Sequence, residues 1–250
     1  MVGQLVPPTP HPPLPLPEPD LSHILTEDDT PVDNLLSEKQ QRLLTSCLYS
    51  GLKREEPFLV MANVGLFYGL YLPPIVPDVL LSLGVKAPED WRQKKNRSYF
   101  VWEFGKAPEV VIEIVSNTIG NELGKKLVKY AQVGVAYYAV FDPLHCLGDE
   151  VLQVYQLVGL AYQKQPDAWL AQVGLGLTLW DGEFEGAHYE QWLRWCDETG
   201  NLLLTGDEQA AVAQAEVVDA WAEASAAQAR VEQLAALLRA QGIDPDGVEL

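Results

Sequence analysis

The stretch Val110-Val111-Ile112-Glu113-Ile114-Val115 is the part of the sequence that decides the fold. Its β-branched, almost wholly apolar side chains are typical of a strand that is covered on both faces. A helical pattern follows over residues 121–133 and stops at Gly134, and a second apolar run lies at 137–141. Strand, helix and strand in immediate succession indicate a crossover within one sheet. We therefore predict an α/β fold with a mixed central sheet flanked by helices.

Further apolar patterns extend this architecture in both directions along the chain. Residues 35–52 carry apolar side chains at helical spacing, which predicts a helix. Short apolar runs separated by Gly, Pro and charged turns predict additional strands at 58–64, 66–72, 75–83, 99–104, 151–157, 162–165 and 169–179. The polar segment 87–97 is predicted to be a loop.

The two ends of the chain differ in composition from residues 34–200, which we predict to form the globular domain. Residues 1–33 are rich in proline and acidic groups, which favours a disordered tail, with a docking motif as the alternative. Residues 207–241 are rich in Ala, Gln and Glu, and residues 242–250 form an acidic tail. A heptad seam runs through the helical arm: Val217, Ala220, Ala224, Ala227, Val231, Leu234 and Leu238. This long C-terminal helix predicts a coiled-coil-like arm and a homodimer or other homo-oligomer.

The distribution of charge indicates where a polyanion could bind. The 250 residues carry a net charge of −18, which argues against a general nucleic-acid binder. Residues 57–145 nevertheless hold nine basic and eight acidic side chains, whereas residues 146–250 hold four basic and eighteen acidic ones. A site for a polyanion is therefore expected in the middle of the chain.

Cysteine, histidine and hydropathy patterns exclude several classes of protein. The three cysteines are far apart and, with the four histidines, form no zinc-ligand spacing. The sequence has neither the HExxH motif of zinc proteases nor the GxSxG motif of serine hydrolases. Since it also has no apolar run of the roughly 18–20 residues that cross a bilayer, and no signal peptide, we expect a cytoplasmic protein with reduced thiols and no membrane association.

Three residues within the nearly neutral segment 57–145 are candidates for a functional site. Glu113 interrupts an apolar strand, where a carboxylate is costly unless it is paired or binds a metal; a strand edge facing water is the alternative. Asp78 follows Pro77, which is common turn chemistry, although the apolar run continues beyond it. Lys126 lies four residues before Tyr130 and shares a helix face with it, with a solvated basic face as the alternative.

Two carboxylates and a lysine suit metal-dependent hydrolysis of phosphodiester bonds. Carboxylate oxygens are hard ligands that Mg²⁺ or Mn²⁺ prefers. The ion offsets phosphate charge and acidifies a bound water, and a lysine can orient that water or stabilise the transition state. Asp78 and Glu113 are 35 positions apart, so the fold must bring them together and no local motif establishes the site.

A set of motifs appears in a fixed order along the chain. They are Pro77-Asp78-Val79, Val111-Ile112-Glu113-Ile114-Val115-Ser116, Lys126-Leu127-x-x-Tyr130-Ala131, Gly134-Val135-x-Tyr137-Tyr138 and Val140-Phe141-Asp142-Pro143. The set resembles the bacterial restriction endonucleases called the Uma-two family, within the PD-(D/E)XK nuclease superfamily. The resemblance covers roughly residues 35–200, and residues 237–246 are similar to the ending of many members.

The resemblance implies a restriction-endonuclease-like core, a DNA substrate, and Mg²⁺ held by Asp78 and Glu113. In most of the superfamily the catalytic lysine stands two positions after the second acid, where this chain has Val115. This family instead supplies the lysine from the next helix, which assigns the role to Lys126.

The same resemblance implies an assisting acid on the first helix, for which Glu38 is the candidate and Asp33 the substitute. The chain departs from the family at two places. It has Ser116-Asn117-Thr118 where members commonly have Ser-Pro-Ser-Thr, and Ala136 where they often have Glu. These departures affect the expected loop shape and one supporting contact, but they remove no proposed catalytic residue.

Two hypotheses of function follow. The preferred one is a Mg²⁺-dependent endodeoxyribonuclease whose phosphate contacts come from six cations, Arg92, Lys94, Lys95, Arg97, Lys125 and Lys129. The alternative is a catalytically silent binding or assembly module that keeps the nuclease fold and acts through its C-terminal helix, because the acidic C-terminal part would repel DNA. Stabilisation by Mg²⁺ distinguishes the two.

Overall fold

The computed structural model describes residues 34–116, 122–242 and 244. The predicted tails, 1–33 and 242–250, therefore lie outside the described residues except at 242 and 244. The helices are α1 Leu35–Gly51, α2 Val101–Phe104, α3 Leu127–Val133 and α4 Gly206–Ala240, with a 3-10 turn at Lys94–Asn96 and a π turn at Glu122–Lys126. The strands are β1 Phe58–Ala62, β2 Leu66–Phe67, β3 Val79–Leu83, β4 Tyr99–Phe100, β5 Val110–Ile114, β6 Tyr137–Phe141, β7 Leu152–Val158, β8 Ala161–Lys164, β9 Trp169–Leu170, β10 Leu175–Phe184 and β11 Ala187–Cys196.

Six strands form a central mixed sheet in the order β1-β3-β5-β6-β7-β8. Strands β5 and β6 are parallel, with Val110 opposite Tyr137, and every other neighbouring pair in this sheet is antiparallel. A parallel pair needs a crossover, and here the crossover contains α3. Strands β9 to β11 form a second sheet, and β2 pairs with β4. The predicted α/β fold with a mixed central sheet is confirmed.

The central sheet separates two apolar layers, and β5 contributes alternate side chains to each of them. Val110, Ile112 and Ile114 pack in the layer that contains α1 and the β10–β11 hairpin. Val111 and Val115 pack in the other layer, which contains α3. A strand that is covered on both faces explains the nearly continuous apolar sequence of this stretch.

Helix α1 joins the central sheet to the second sheet. Its first turn is capped by Asn34, whose Oδ1 accepts a hydrogen bond from the Ser37 backbone N–H at 3.0 Å. The Gln40 side chain pairs with the backbone of Leu193 in β11, donating to its carbonyl at 2.8 Å and accepting from its N–H at 2.9 Å. This double hydrogen bond satisfies a fully buried amide and fixes α1 against the second sheet.

Two strands are shorter than the sequence pattern predicts, and prolines lie between them. Within the predicted strands 66–72 and 75–83, the structure has the strands β2 and β3 and an isolated antiparallel bridge between Leu66 and Ile75. Pro73, Pro74 and Pro77 have no backbone N–H to donate, so the ladder cannot run through them. Asp78 consequently lies directly before β3 rather than inside a strand.

The predicted strand 99–104 is wrong beyond Phe100. Strand β4 has only the two residues of β2 as its partner, and the chain then turns into α2. Gly105 ends that helix in the left-handed conformation, with φ of 75°. The predicted strand 169–179 is likewise interrupted, since β9 and β10 flank a turn.

The C-terminal helix α4 confirms the predicted long helical arm. Thr205 and Glu208 form a capping box in which each side chain bonds the backbone N–H of the other. Glu208 also forms two hydrogen bonds with the buried guanidinium of Arg194, at 2.9 and 2.8 Å.

None of the helices in the described ranges is long and apolar enough to cross a membrane. The three cysteines are free thiols.

Candidate active site

Asp78 lies at the start of β3, where hydrogen bonds from two different elements hold its carboxylate. Its Oδ1 accepts from Gln41 Nε2 of α1 at 2.9 Å, and its Oδ2 accepts from the Ile114 backbone N–H of β5 at 2.6 Å. Gln41 is itself held, because its Oε1 accepts from Asn63 Nδ2 at 3.0 Å. Asp78 is only 6% exposed. These contacts fix the orientation of one buried acid.

Glu113 is the central acid of the site. It is 2% exposed and lies on β5, with its side chain directed toward the layer of α3. Its Oε1 accepts a hydrogen bond from the Tyr130 hydroxyl at 2.6 Å, and its Oε2 contacts Lys126 Nζ at 2.9 Å. The water-facing alternative for Glu113 is therefore wrong, and the carboxylate is buried and paired.

The register of the sheet brings the two acids together. Val79 of β3 pairs with Ile112 of β5 in an antiparallel ladder. One further step along the same register places Asp78 opposite Glu113, and side chains of opposite residues share a face with Cβ atoms about 5 Å apart. Side chains two residues apart on a strand lie on the same face, and Leu80 and Val111, which are two residues from Asp78 and Glu113, both pack in the layer of α3. This agrees with the position of the two acids on one face.

Lys126 lies between two carboxylates. Its Nζ contacts Glu113 Oε2 at 2.9 Å and Glu122 Oε1 at 3.2 Å. Glu122 and Lys126 are the two ends of the π turn that leads into α3, and such turns recur at functional sites. Glu122 is 5% exposed, and its backbone carbonyl accepts from the Tyr138 hydroxyl at 3.1 Å. The lysine is thus held over Glu113 and not on a solvated face.

Burial and pairing set the protonation of these groups. Burial raises the pKa of the Glu113 carboxyl, although Lys126 and the Tyr130 hydroxyl both oppose the rise. Burial by itself would lower the pKa of Lys126, but the neighbouring Glu113 and Glu122 carboxylates outweigh it and raise the pKa. The lysine therefore remains a charged ammonium next to the acids.

Two buried tyrosines complete the surroundings of the acids. The pKa of Tyr130 is raised well above its ordinary value, first by burial and then by the Glu113 carboxylate. The pKa of Tyr138 is raised for the same two reasons in the same order. The Asp78 carboxylate also contributes to both rises. Both hydroxyls stay protonated; that of Tyr130 donates to the Glu113 carboxylate, and that of Tyr138 donates to the Glu122 backbone carbonyl.

Glu38, the predicted assisting acid, does not contact this group of residues within the described part of the chain. Its Oε1 pairs with Arg42 Nε at 2.7 Å on the exposed side of α1. The α1 side chain that reaches Asp78 is Gln41, three residues later. Asp33, the predicted substitute, lies outside the described residues. The assisting role of Glu38 stays a prediction.

The six predicted phosphate contacts fall into two groups. Lys125 and Lys129 lie on the same helical segment as Lys126, one residue before it and three after it. Arg92, Lys94, Lys95 and Arg97 belong to the loop that follows β3. Lys95 lines a cavity of about 320 Å³ with Gly84, beyond the end of β3 that is opposite to Asp78, about 20 Å away along the strand. Phosphate contact by these side chains stays a prediction.

Sequence reasoning missed Gln41, Glu122 and the role of Tyr130 as a donor to Glu113. Glu122 carried a usable signal, because an acid four residues before a lysine on a helix predicts an ion pair. Gln41 carried none, since nothing in a helical pattern tells which polar residue of α1 faces a distant strand.

The chemistry of these donors fits a hard divalent cation. Asp78 and Glu113 present carboxylate oxygens on one face of the sheet, and carboxylate oxygens are the hard ligands that Mg²⁺ and Mn²⁺ prefer. Glu122 Oε2 is buried and has no hydrogen-bond partner, which is costly for a charged group. The described residues form no group of three side chains that could hold a metal. Mg²⁺ commonly binds through only one or two carboxylates and keeps its waters, so two acids suffice.

Comparisons with known proteins identify the family of the chain. The model of the Uma2 family, described as "Putative restriction endonuclease", matches residues 17–180. A solved structure described as a "putative nuclease belonging to DUF820" from Anabaena variabilis ATCC 29413 is 18% identical, with a TM-score of 0.39, and covers 55% of this chain and 72% of its own. None of the curated proteins matches the chain. Because the family model spans more than half of the sequence, the chain belongs to the Uma2 family.

Proposed function

We propose that this protein is a metal-dependent endonuclease that hydrolyses phosphodiester bonds in DNA. Asp78 and Glu113 are the proposed ligands of Mg²⁺ or Mn²⁺, and Lys126 is the proposed catalytic lysine. The observation that carries the proposal is the 2.9 Å contact of Lys126 Nζ with Glu113, an acid that shares a sheet face with Asp78. The restriction-endonuclease description of the family supports the same class of reaction.

Each residue has a distinct part in this proposal. A bound divalent ion would supply Lewis-acid stabilisation of the phosphate and a more acidic water. Lys126 keeps a positive charge at the site, where it can donate to a phosphate oxygen or orient the attacking water. Gln41 and Tyr130 hold Asp78 and Glu113 in fixed orientations through their hydrogen bonds. Fixed donors and acceptors lower the cost of reorganisation during the reaction.

The direct test is nicking of supercoiled plasmid DNA in Mg²⁺ or Mn²⁺. We expect wild-type protein to nick the plasmid and Glu113→Gln to lose most of that activity, since the amide cannot replace a metal-binding carboxylate. Glu103→Gln is the matched control, because this acid lies on α2 and, among the described residues, its ion pair is a long 4.0 Å contact with Lys95. The endonuclease proposal fails if Glu113→Gln nicks DNA as fast as wild type and Glu103→Gln.

The salt dependence of DNA binding tests the proposed phosphate contacts of Lys125 and Lys129. Each phosphate contact that is lost reduces the slope of log K against log salt by about 0.9. Replacing both lysines with Ala is therefore expected to reduce the slope by about 2 in a fluorescence-anisotropy titration with duplex DNA. Replacing Lys94 and Lys95 serves as the comparison at the other end of β3. An unchanged slope for the Lys125 and Lys129 variant would remove these two residues from the DNA-binding surface.

One structural feature favours the alternative of a silent binding or assembly module. All four carboxylate oxygens of Asp78 and Glu113 already accept hydrogen bonds from the protein. A relic site of this kind would hold the fold together without a metal. Such a protein would neither nick DNA nor respond to Mg²⁺.

A further inference from the structure

The C-terminal helix α4 leaves the globular body after its first turn. Every residue from 210 to 240 is exposed except Ala235, which is half-buried. The exposed side chains include large apolar ones, with Trp221 72% exposed and Leu234 54% exposed. At about 1.5 Å per residue, α4 extends for about 50 Å. A helix of this kind gains little from its own hydrogen bonds and is normally stabilised by packing against a partner.

The seam of α4 has an uneven distribution of side-chain size. Its first half contains Val217, Ala220 and Ala224, and its second half contains Val231 and Leu234. In a parallel pair each position meets its own copy, so alanine packs on alanine at one end and leucine on leucine at the other. In an antiparallel pair Val217 meets the partner's Leu234, and Ala220 meets the partner's Val231. The larger side chains then lie at both ends of the paired segment, and only alanines meet at its centre.

Charge distinguishes the two orientations more sharply. A parallel pair would place Glu223 beside the partner's Gln228, and Arg230 beside the partner's Ala235, so these positions form no ion pair. The antiparallel register just described places Glu223 beside the partner's Arg230, and symmetry repeats this ion pair. A parallel pair would also bring the two acidic first halves together, whereas the antiparallel pair separates them.

We propose that α4 binds the α4 of a second copy of this chain in antiparallel orientation, with Ala224 opposite the partner's Ala227 at the centre. The small central side chains allow the two helices to approach closely. The helix dipoles oppose each other favourably in this arrangement. The two globular bodies then lie at opposite ends of the paired helices. This inference does not depend on the proposed nuclease activity.

Disulfide trapping in the full-length protein tests both the association and its direction. One protein carries Ala220→Cys, and a second protein of distinguishable mass carries Val231→Cys. We expect a mixed disulfide between the two proteins and no disulfide within either sample alone, because identical positions are about 16 Å apart along the antiparallel helices. Wild type, in which Cys47 and Cys196 are buried and Cys146 is half-buried, is the control for the native thiols. Disulfides between identical proteins would overturn the antiparallel assignment.

The second test measures the mass of the protein by light scattering, in wild type and in charge-reversal variants of the proposed ion pair. Wild type is expected to have the mass of a dimer at micromolar concentration. Glu223→Arg should weaken the dimer by on the order of tenfold, because each arginine would face the partner's Arg230. The double variant Glu223→Arg with Arg230→Glu should restore it, and Asp219→Arg on the outer face should have little effect. A monomeric wild type, or a double variant as weak as the single one, would overturn the proposal.

Discussion

Lys126→Met is expected to lower the rate of plasmid nicking by about 10²–10³-fold, the usual cost of removing one preorganised donor to the transition state. The same substitution removes a positive charge 2.9 Å from Glu113 and 3.2 Å from Glu122. Mg²⁺ binding should therefore be preserved or become tighter while the reaction is lost. This combination separates a catalytic lysine from one that only holds the acids in place.

The measurement combines single-turnover nicking rates with metal titrations of the same samples. Lys53→Met is the matched control, since Lys53 is exposed and, in the part of the chain that the structure describes, donates to the Ser50 carbonyl at the end of α1. A nicking rate for Lys126→Met within a few-fold of this control would show that the lysine has no part in the reaction. A fall in nicking that is caused entirely by weaker metal binding would assign it a structural role.

Glu208→Ala is expected to destabilise the protein by about 2–3 kcal/mol, because it leaves the guanidinium of Arg194 buried without its carboxylate partner. Arg194 is completely buried, packs its guanidinium 4.6 Å from the Trp180 ring centre, and donates to the Leu203 carbonyl at 2.8 Å. Because the Glu208 side chain is 30% exposed, the expected loss of stability is smaller than the full cost of breaking a buried ion pair. The loss should appear as a fall in Tm of about 5–10 °C.

The control for this prediction is Glu216→Ala, an exposed acid further along the same helix. Burial alone would raise the pKa of Glu208, but hydrogen bonds from Arg194 and from the Thr205 N–H outweigh burial and lower it. A lowered pKa stabilises the folded protein at pH values above the ordinary glutamate pKa, and this stabilisation disappears as the pH falls through the lowered value. Glu208→Ala should therefore lose less stability on acidification than wild type. Equal acid sensitivity of the two proteins would contradict the assigned ion pair.

Local pattern was sufficient to predict the centre of the fold. The apolar run at β5, the helical spacing that ends at Gly134 and the apolar run at β6 each depend on near neighbours in the chain. Strands around Pro73, Pro74 and Pro77 were predicted too long, because the apolar pattern continues where the backbone cannot donate hydrogen bonds. The turn from β4 into α2 depends on how short the partner strand β2 is, which its own sequence does not reveal.

The sequence was sufficient to single out the two acids and the lysine of the candidate site, but not to predict how these residues are arranged in space. Asp78 and Glu113 stood out because each interrupts or begins an apolar run, and Lys126 because it shares a face with Tyr130. Their proximity follows from the register of β3 on β5, which is a tertiary property. The resemblance implies Glu38 as the acid on the first helix, whereas the α1 side chain that contacts Asp78 is Gln41.

The central claim is that Asp78 and Glu113 together bind a divalent metal, and thermal unfolding with and without Mg²⁺ tests it most directly. A ligand at about 100 times its Kd stabilises the folded state by about 2.7 kcal/mol, or about 5–10 °C in a chain of this size. We predict that Mg²⁺ raises the Tm of wild type by this order, and that the double variant Asp78→Asn with Glu113→Gln shows no rise above its own metal-free Tm. An equal rise in both proteins, or none in wild type, would contradict the account.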